Sequence, residues 1–202
     1  MPSEQVRFSS FNHLQRIMAP KKREFHTKQL TKRTLPDFER LFETHPAPGA
    51  FPCWCMHSHR PHTLPENMRL HSGLERAARN REEKRKLVEN NASHGILVYW
   101  NGEPVGWCQY GVKEELPRIE SNPAYRRLAP DVGAEKLWRI TCFVVNRRYR
   151  RRGVASVALK AAVDAIRKEG GGLVEAYPIT RWGAYQDYRG LSRCSRSRDS
   201  RP

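Results

Sequence analysis

The stretch that decides the fold begins Leu137-Trp138-Arg139-Ile140-Thr141-Cys142-Phe143-Val144-Val145. It continues Asn146-Arg147-Arg148-Tyr149-Arg150-Arg151-Arg152-Gly153 and then Val154-Ala155-Ser156-Val157-Ala158-Leu159-Lys160-Ala161-Ala162-Val163-Asp164-Ala165-Ile166-Arg167-Lys168. The first part is rich in β-branched and aromatic residues and predicts a strand. By simple alternation Trp138, Ile140, Cys142 and Val144 fall on one face, and Leu137, Phe143 and Val145 on the other. Both faces are largely apolar, so the strand belongs in the middle of a sheet. The third part predicts a helix over 154–168. Its polar positions Ser156, Lys160, Asp164, Arg167 and Lys168 form one narrow solvent stripe on an otherwise apolar cylinder. Gly170-Gly171-Gly172 stops the helix, and Leu173 to Ile179 reads as another strand. The unit is β-α-β, with parallel strands and a right-handed crossover.

Five of the six residues from Arg147 to Arg152 are arginine, and they stand just before a helix start. Unpaired N–H groups and the positive end of the helix dipole gather there, which suits a phosphate. Gly153 lets the backbone come close to an anion, and arginine supplies planar, charge-assisted donors for phosphate oxygens. An exposed basic loop with a glycine for a tight turn is the simpler alternative.

Outward from this unit, Glu24 to Thr31 predicts a first strand. Leu35-Pro36-Asp37 opens a helix whose Phe38, Leu41 and Phe42 make one apolar stripe, ended by Pro46, Pro48, Gly49 and Pro52. Residues 66–91 form a second helical region with thin apolar content, expected on the surface. Ile96 to Trp100 and Glu103 to Tyr110 are strands joined by Asn101-Gly102, a strong hairpin signal because both residues tolerate positive φ. Residues 113–136 are a proline-interrupted connection.

Arg150-x-x-Gly153-x-Ala155 resembles the Arg/Gln-x-x-Gly-x-Gly/Ala signature of the GNAT acetyltransferase superfamily, and the order of elements over residues 24–180 is similar to that family's. The resemblance implies an α/β fold, a GNAT-like mixed sheet with flanking helices, and an N-acyltransferase that uses acetyl-CoA as co-substrate. Carried over, the backbone of Phe143 and Val145 would bond the pantetheine arm. Arg150, Arg151, Arg152, Gly153, Val154, Ala155 and Ser156 would hold the pyrophosphate. The resemblance implies no metal and no covalent intermediate: an acceptor amine attacks the thioester directly, a base takes its proton and a tyrosine protonates the leaving thiolate. Glu115 and Tyr177 are the candidates for base and acid, beside Glu114 and Glu175. Phe51-Pro52-Cys53-Trp54-Cys55-Met56 resembles a Cys-Trp-Cys-Met subgroup of GNAT-like proteins. Cys53, Cys55, His57, His59 and His62 are zinc-ligand types, but Cys-x-Cys with His-x-His is not a usual zinc spacing, so no metal is assigned.

The net charge of +16 over 202 residues, with a pI near 10.2, favours anionic partners and predicts weak, salt-sensitive binding to nucleic acid. This leaves two alternatives to the enzyme: a basic nucleic-acid-binding protein, or an inactive GNAT remnant that holds CoA. The five cysteines are odd in number, which argues against a disulfide framework and for a reducing, cytoplasmic location. Residues 1–23 read as a basic disordered tail, with a mitochondrial presequence or a nuclear signal as the other readings. No apolar run approaches the ~20 residues of a membrane span, so a soluble protein without a membrane partner is expected. Past Leu191 the apolar period vanishes. Residues 181–202 therefore read as an Arg/Ser-rich disordered tail on a chain truncated before the family's last strands. An exposed sheet edge is expected to invite self-association.

Overall fold

A computed structural model of the protein describes residues 24–44, 53–60, 73–121, 123–128 and 136–176. Both terminal tails, Tyr177, and the stretch from Tyr185 to Leu191 lie outside the described residues. The elements are β1 (His26–Gln29), α1 (Leu35–Thr44), α2 (Gly73–Glu89), β2 (His94–Trp100), β3 (Glu103–Val112), α3 (Pro123–Leu128), β4 (Leu137–Val145), α4 (Val154–Lys168) and β5 (Leu173–Ala176). The strands form one mixed sheet in the order β1-β2-β3-β4-β5. The first four are antiparallel in turn, and β4 pairs with β5 in parallel through the crossover helix α4. No described helix is long and apolar enough to cross a membrane.

The sheet separates two apolar layers. On one face α4 places Val154, Ala158, Ala162 and Ile166 against Ile96, Val98, Cys108, Tyr110 and Trp138. On the other, Phe38, Leu41 and Phe42 of α1 meet Trp54, Leu97, Tyr99 and Trp107. Phe38 stands edge-on to Trp107 with ring centroids 4.7 Å apart. Each such side chain contributes about 1.5–3 kcal/mol on full burial. Asn101 and Gly102 turn the β2–β3 hairpin at φ of 51° and 84°, as their sequence requires.

Several boundaries shift from the sequence reading for physical reasons. The first strand is only His26–Gln29: Leu30 N–H still bonds Gly95 O, but the Thr34 hydroxyl donates to Gln29 O and gathers the chain into the turn that starts α1. Strands β2 and β3 extend to His94 and Val112, because the pairing runs on past the apolar core. The connection after β3 carries a 3-10 turn at Pro117–Ser121 and the helix α3.

The charged helix α2 does not simply lie on the surface. It turns Asn80, Lys84 and Val88, one turn apart, into the protein. Two ion pairs fix it there: Arg81 and Arg85 both clamp Glu39 of α1, at 2.7 and 2.6 Å. Burial works against the Glu39 charge, yet the two guanidinium groups hold its carboxyl down to about 2.

The largest departure is inside β4. Gln109 pairs with Cys142, but Tyr110 pairs with Ile140, so Thr141 is an extra residue in the strand. A single inserted residue exchanges the faces beyond it. Trp138 and Ile140 share the face that packs on α4. After the bulge it is Phe143 and Val145 that pack on the α4 side, while Val144 and Cys142 pack on the α1 side.

Candidate active site

Two features of β4 converge on one place. Its pairing with β5 reaches Ile140–Ala176 and is described no further. From Thr141 to Val145 the strand therefore pairs with β3 alone among the described residues. Beyond Val145 the chain enters the arginine loop. The Asn146 side chain caps a 3-10 turn at Arg147–Tyr149 by accepting the Arg148 N–H at 3.0 Å. Arg150 is half-buried and folds back, its Nε 3.5 Å from Val145 O. Arg147, Arg148, Arg151 and Arg152 are exposed. The Arg152 guanidinium lies over the Tyr149 ring at 5.6 Å.

Gly153 stands at φ 83° at the start of α4, with no side-chain cap and no acidic residue in the helix's first turn. The first helical bond there is Val157 N–H to Gly153 O at 3.0 Å. The N–H groups of Val154, Ala155 and Ser156 thus come before it, at the positive end of the helix dipole. Among the described residues a Cβ on Gly153 would meet nothing within 4 Å. Helix α4 reaches this position because Gly106 of β3 has no side chain: a Cβ there would sit 2.3 Å from Val154 Cγ1. The loop residues singled out in the sequence, from Arg150 to Ser156, are thereby brought to one helix end. Phe143 and Val145 lie on the strand leading into it, where β4 pairs with β3 alone among the described residues.

The face of the sheet opposite α4 holds a polar cluster that the sequence reading missed. His59 Nδ1 donates to Glu115 O at 2.8 Å, which leaves Nε2 as the acceptor. That nitrogen lies 3.0 Å from Lys84 Nζ, 2.9 Å from Gln109 Nε2 and 3.2 Å from Ser93 Oγ. Thr141, the bulge residue, donates to Gln109 Oε1 at 3.0 Å and ties the cluster to β4. Burial, reinforced by the Lys84 charge, pushes His59 down to about 2. Burial also lowers Lys84 to about 8, against the pull of the neighbouring thiols of Cys55, Cys53 and Cys142.

Glu115 sits nearby and accepts from His94 Nδ1 at 2.8 Å, and this bond raises the imidazole's pKa. Glu175 of β5 is instead tied to a wholly buried Arg139, 3.5 Å away, and accepts the Tyr125 hydroxyl at 2.8 Å. Among the described residues no cluster of histidine, cysteine and carboxylate groups could hold a metal ion.

The sequence model of the acetyltransferase (GNAT) family matches residues 62–180, more than half of the chain. The chain belongs to the GNAT acetyltransferase family. Comparison with curated proteins returns no match. Among solved structures the GNAT chain is similar to an aminoglycoside acetyltransferase from an uncultured soil metagenomic sample, crystallised with trehalose. Identity is 16%, coverage 77% of this chain and 78% of that one, and the TM-score 0.47. It is also similar to an aminoglycoside N-acetyltransferase in complex with CoA, at 12% identity, 80% and 82% coverage and a TM-score of 0.47. A third is a ribosomal-protein-alanine N-acetyltransferase from Brucella melitensis biovar Abortus 2308. It shows 12% identity, 78% and 83% coverage and a TM-score of 0.44. The five-stranded mixed sheet with helices on both faces is the family's fold in this GNAT chain.

Proposed function

We propose that the chain is an acetyl-CoA-dependent N-acetyltransferase that passes the acetyl group directly to an amine. One observation carries the reading: the start of α4, with no side-chain cap and no acidic residue in its first turn, follows directly on a loop of arginines at the end of β4. The N–H groups of Val154, Ala155 and Ser156, with Arg150, Arg151 and Arg152, suit a pyrophosphate. The backbone of Phe143 and Val145, on the stretch of β4 that leads into this loop, suits the pantetheine amides, which need donors and acceptors along a strand.

Acetyl-CoA supplies an activated acyl thioester. For the amine proton the GNAT chain offers two carboxylates in different settings. Glu175 is bound to Arg139, a group that stays charged and gives up no proton. Glu115 is bound to His94, a group that can share and release a proton and whose pKa this bond raises. Glu115 is therefore assigned as base. Tyr177, outside the described residues, keeps the sequence-based role of protonating the leaving thiolate.

The test is calorimetric titration with acetyl-CoA, followed by a thiol-release assay over a panel of amines. Gly153→Glu should weaken acetyl-CoA binding at least about tenfold, because it puts a carboxylate where charge-assisted bonds of ~1.5–3 kcal/mol form. Unchanged affinity in a folded variant would refute the site.

A further inference from the structure

The acyl-transfer reading makes no use of the Cys53-Trp54-Cys55-Met56 turn. Trp54 and Cys55 both adopt left-handed backbone, at φ 53° and 52°, and Met56 N–H closes the turn on Cys53 O at 3.0 Å. Residues with a Cβ avoid this conformation, and tryptophan and cysteine have no special tolerance for it. The surroundings over-determine it. Trp54 and Met56 are buried in the core beside α1, and Gln109 Nε2 donates to Cys55 O at 3.0 Å. Trp107 Nε1 donates to Cys55 Sγ at 3.1 Å.

What this strained turn accomplishes is the placement of one sulfur. Cys55 Sγ stands 3.2 Å from Cys142 Sγ, although 87 positions separate the two in sequence. Both thiols are in the reduced form. Shortening that separation by roughly 1.2 Å reaches the ~2.05 Å of a covalent sulfur–sulfur bond. Cys142 is half-buried, whereas Cys55 is fully buried behind it. Burial raises the Cys55 thiol well above its ordinary value, and the Lys84 charge only partly opposes this, so it is the more accessible Cys142 sulfur that meets an oxidant first.

We propose that Cys55 and Cys142 form an oxidation site, which hydrogen peroxide converts to an intramolecular disulfide clasping the turn to the bulge of β4. Cys142 sulfur attacks the peroxide oxygen, the O–O bond breaks, and water leaves with Cys142 as the sulfenic acid. Cys55 sulfur then attacks Cys142 sulfur. The S–O bond breaks, a second water leaves, and both thiols are oxidised at the expense of one peroxide. A dithiol reductant reverses the change by thiol–disulfide exchange. The alternative bridge, Cys53 to Cys55, closes a small ring inside a turn whose backbone is already fixed. The site stands whether or not the chain transfers acetyl groups.

The experiment treats the full chain with near-stoichiometric hydrogen peroxide, alkylates the remaining thiols, and maps the digest by mass spectrometry. The expected result is one pair of peptides joined through Cys55 and Cys142, lighter by two hydrogens and released by dithiothreitol. Cys142→Ser should abolish that pair. Should this variant fail to fold, the wild-type map decides alone. A Cys53–Cys55 bridge, a disulfide between two chains, Cys142 driven to sulfinic acid without a bridge, or every cysteine still alkylated would each overturn the proposal.

Discussion

His59 Nε2 and Lys84 Nζ lie 3.0 Å apart inside the protein, two groups that cannot both carry charge there. Burial and the lysine together hold His59 neutral down to about 2. In the unfolded chain a histidine takes its proton near pH 6.5. Below that pH the unfolded state binds more protons than the folded one, so stability falls as pH falls from about 6.5 toward the folded value. Glu39, held down to about 2, works in the same direction below about pH 4.5. We expect the urea midpoint to drop steadily from pH 6.5 to 4.5, and the drop to flatten in His59→Gln. A midpoint that stays level over that range would show that the imidazole is not held neutral.

The lysine predicts a trend on the alkaline side. Its folded value near 8 lies below the unfolded value near 10.4. Between the two the unfolded state binds more protons at this lysine, so Lys84 contributes stability that rises with pH, by at most about 3 kcal/mol. The thiols of Cys53, raised in the fold by its contact with Cys55, and of Cys55 and Cys108, raised by burial, contribute in the opposite sense. Lys84→Met should make the trend from pH 7 to 10 less favourable than the parent's, while losing the hydrogen bonds to His59 and Ser93. Denaturation curves at pH 7, 8, 9 and 10 on both proteins provide the measurement. The same trend in both proteins would show that Lys84 is not held below its ordinary value.

Arg151 occupies left-handed backbone at φ 59° inside the arginine loop. Glycine takes that conformation without the crowding a Cβ brings, at a saving of about 1 kcal/mol. Arg151→Gly should therefore be as stable as the parent or slightly more so, despite greater freedom in its unfolded state. If the loop holds a pyrophosphate, the same change should weaken acetyl-CoA binding severalfold by removing a cation. Stability and affinity would then move in opposite directions, which simple damage to the loop cannot produce. Parallel losses in thermal melts and calorimetry would count against the reading.

Where the sequence was legible, local chemistry and tertiary packing agreed. Leu35–Thr44 shows its apolar stripe, Asn101-Gly102 its hairpin, and Val154–Lys168 its narrow polar stripe, and each forms as its pattern dictates. The bulge was not legible, because alternation assumes one residue per pairing step and nothing in Thr141 marks it as extra. The buried side of α2 was hidden for a different reason. Asn80 and Lys84 are polar, so a search for apolar periodicity passes over them, and only their four-residue spacing with Val88 hints at an inward face. The loop from Arg150 to Ser156 could be placed because it lies between two strongly patterned elements. Glu115 could be named, but its tie to His94 depends on a contact between the turn after β3 and the start of β2.

Gly106 tests how tightly α4 must seat on the sheet. A Cβ at this position would lie 2.3 Å from Val154 Cγ1, at the first residue of the helix. Gly106→Ala should cost about 1–3 kcal/mol through overpacking. Gly106→Ala combined with Val154→Ala should recover part of that loss, since the clash is with a side chain. A single variant as stable as the parent would mean that the helix start can move aside, and Gly153 with it.

Arg139 and Glu175 hold β4 and β5 together just before their described pairing ends. They are register partners, and the arginine is wholly buried. Its guanidinium also donates to Lys113 O at 3.3 Å, Leu116 O at 2.9 Å and Glu120 at 3.3 Å. Removing one partner of a buried ion pair leaves an uncompensated charge and costs about 3–5 kcal/mol. Arg139→Leu should fall in that range. Glu175→Gln should lose less, because an amide oxygen still accepts the Tyr125 hydroxyl. The double variant Arg139→Leu with Glu175→Leu should recover much of the loss. About 1–3 kcal/mol should remain for each backbone carbonyl left without its donor, unless water replaces it. A double-mutant cycle on urea midpoints measures the coupling. Strictly additive losses would show that the two charges are held by their other partners, and that the parallel strands stay joined without the bridge between them.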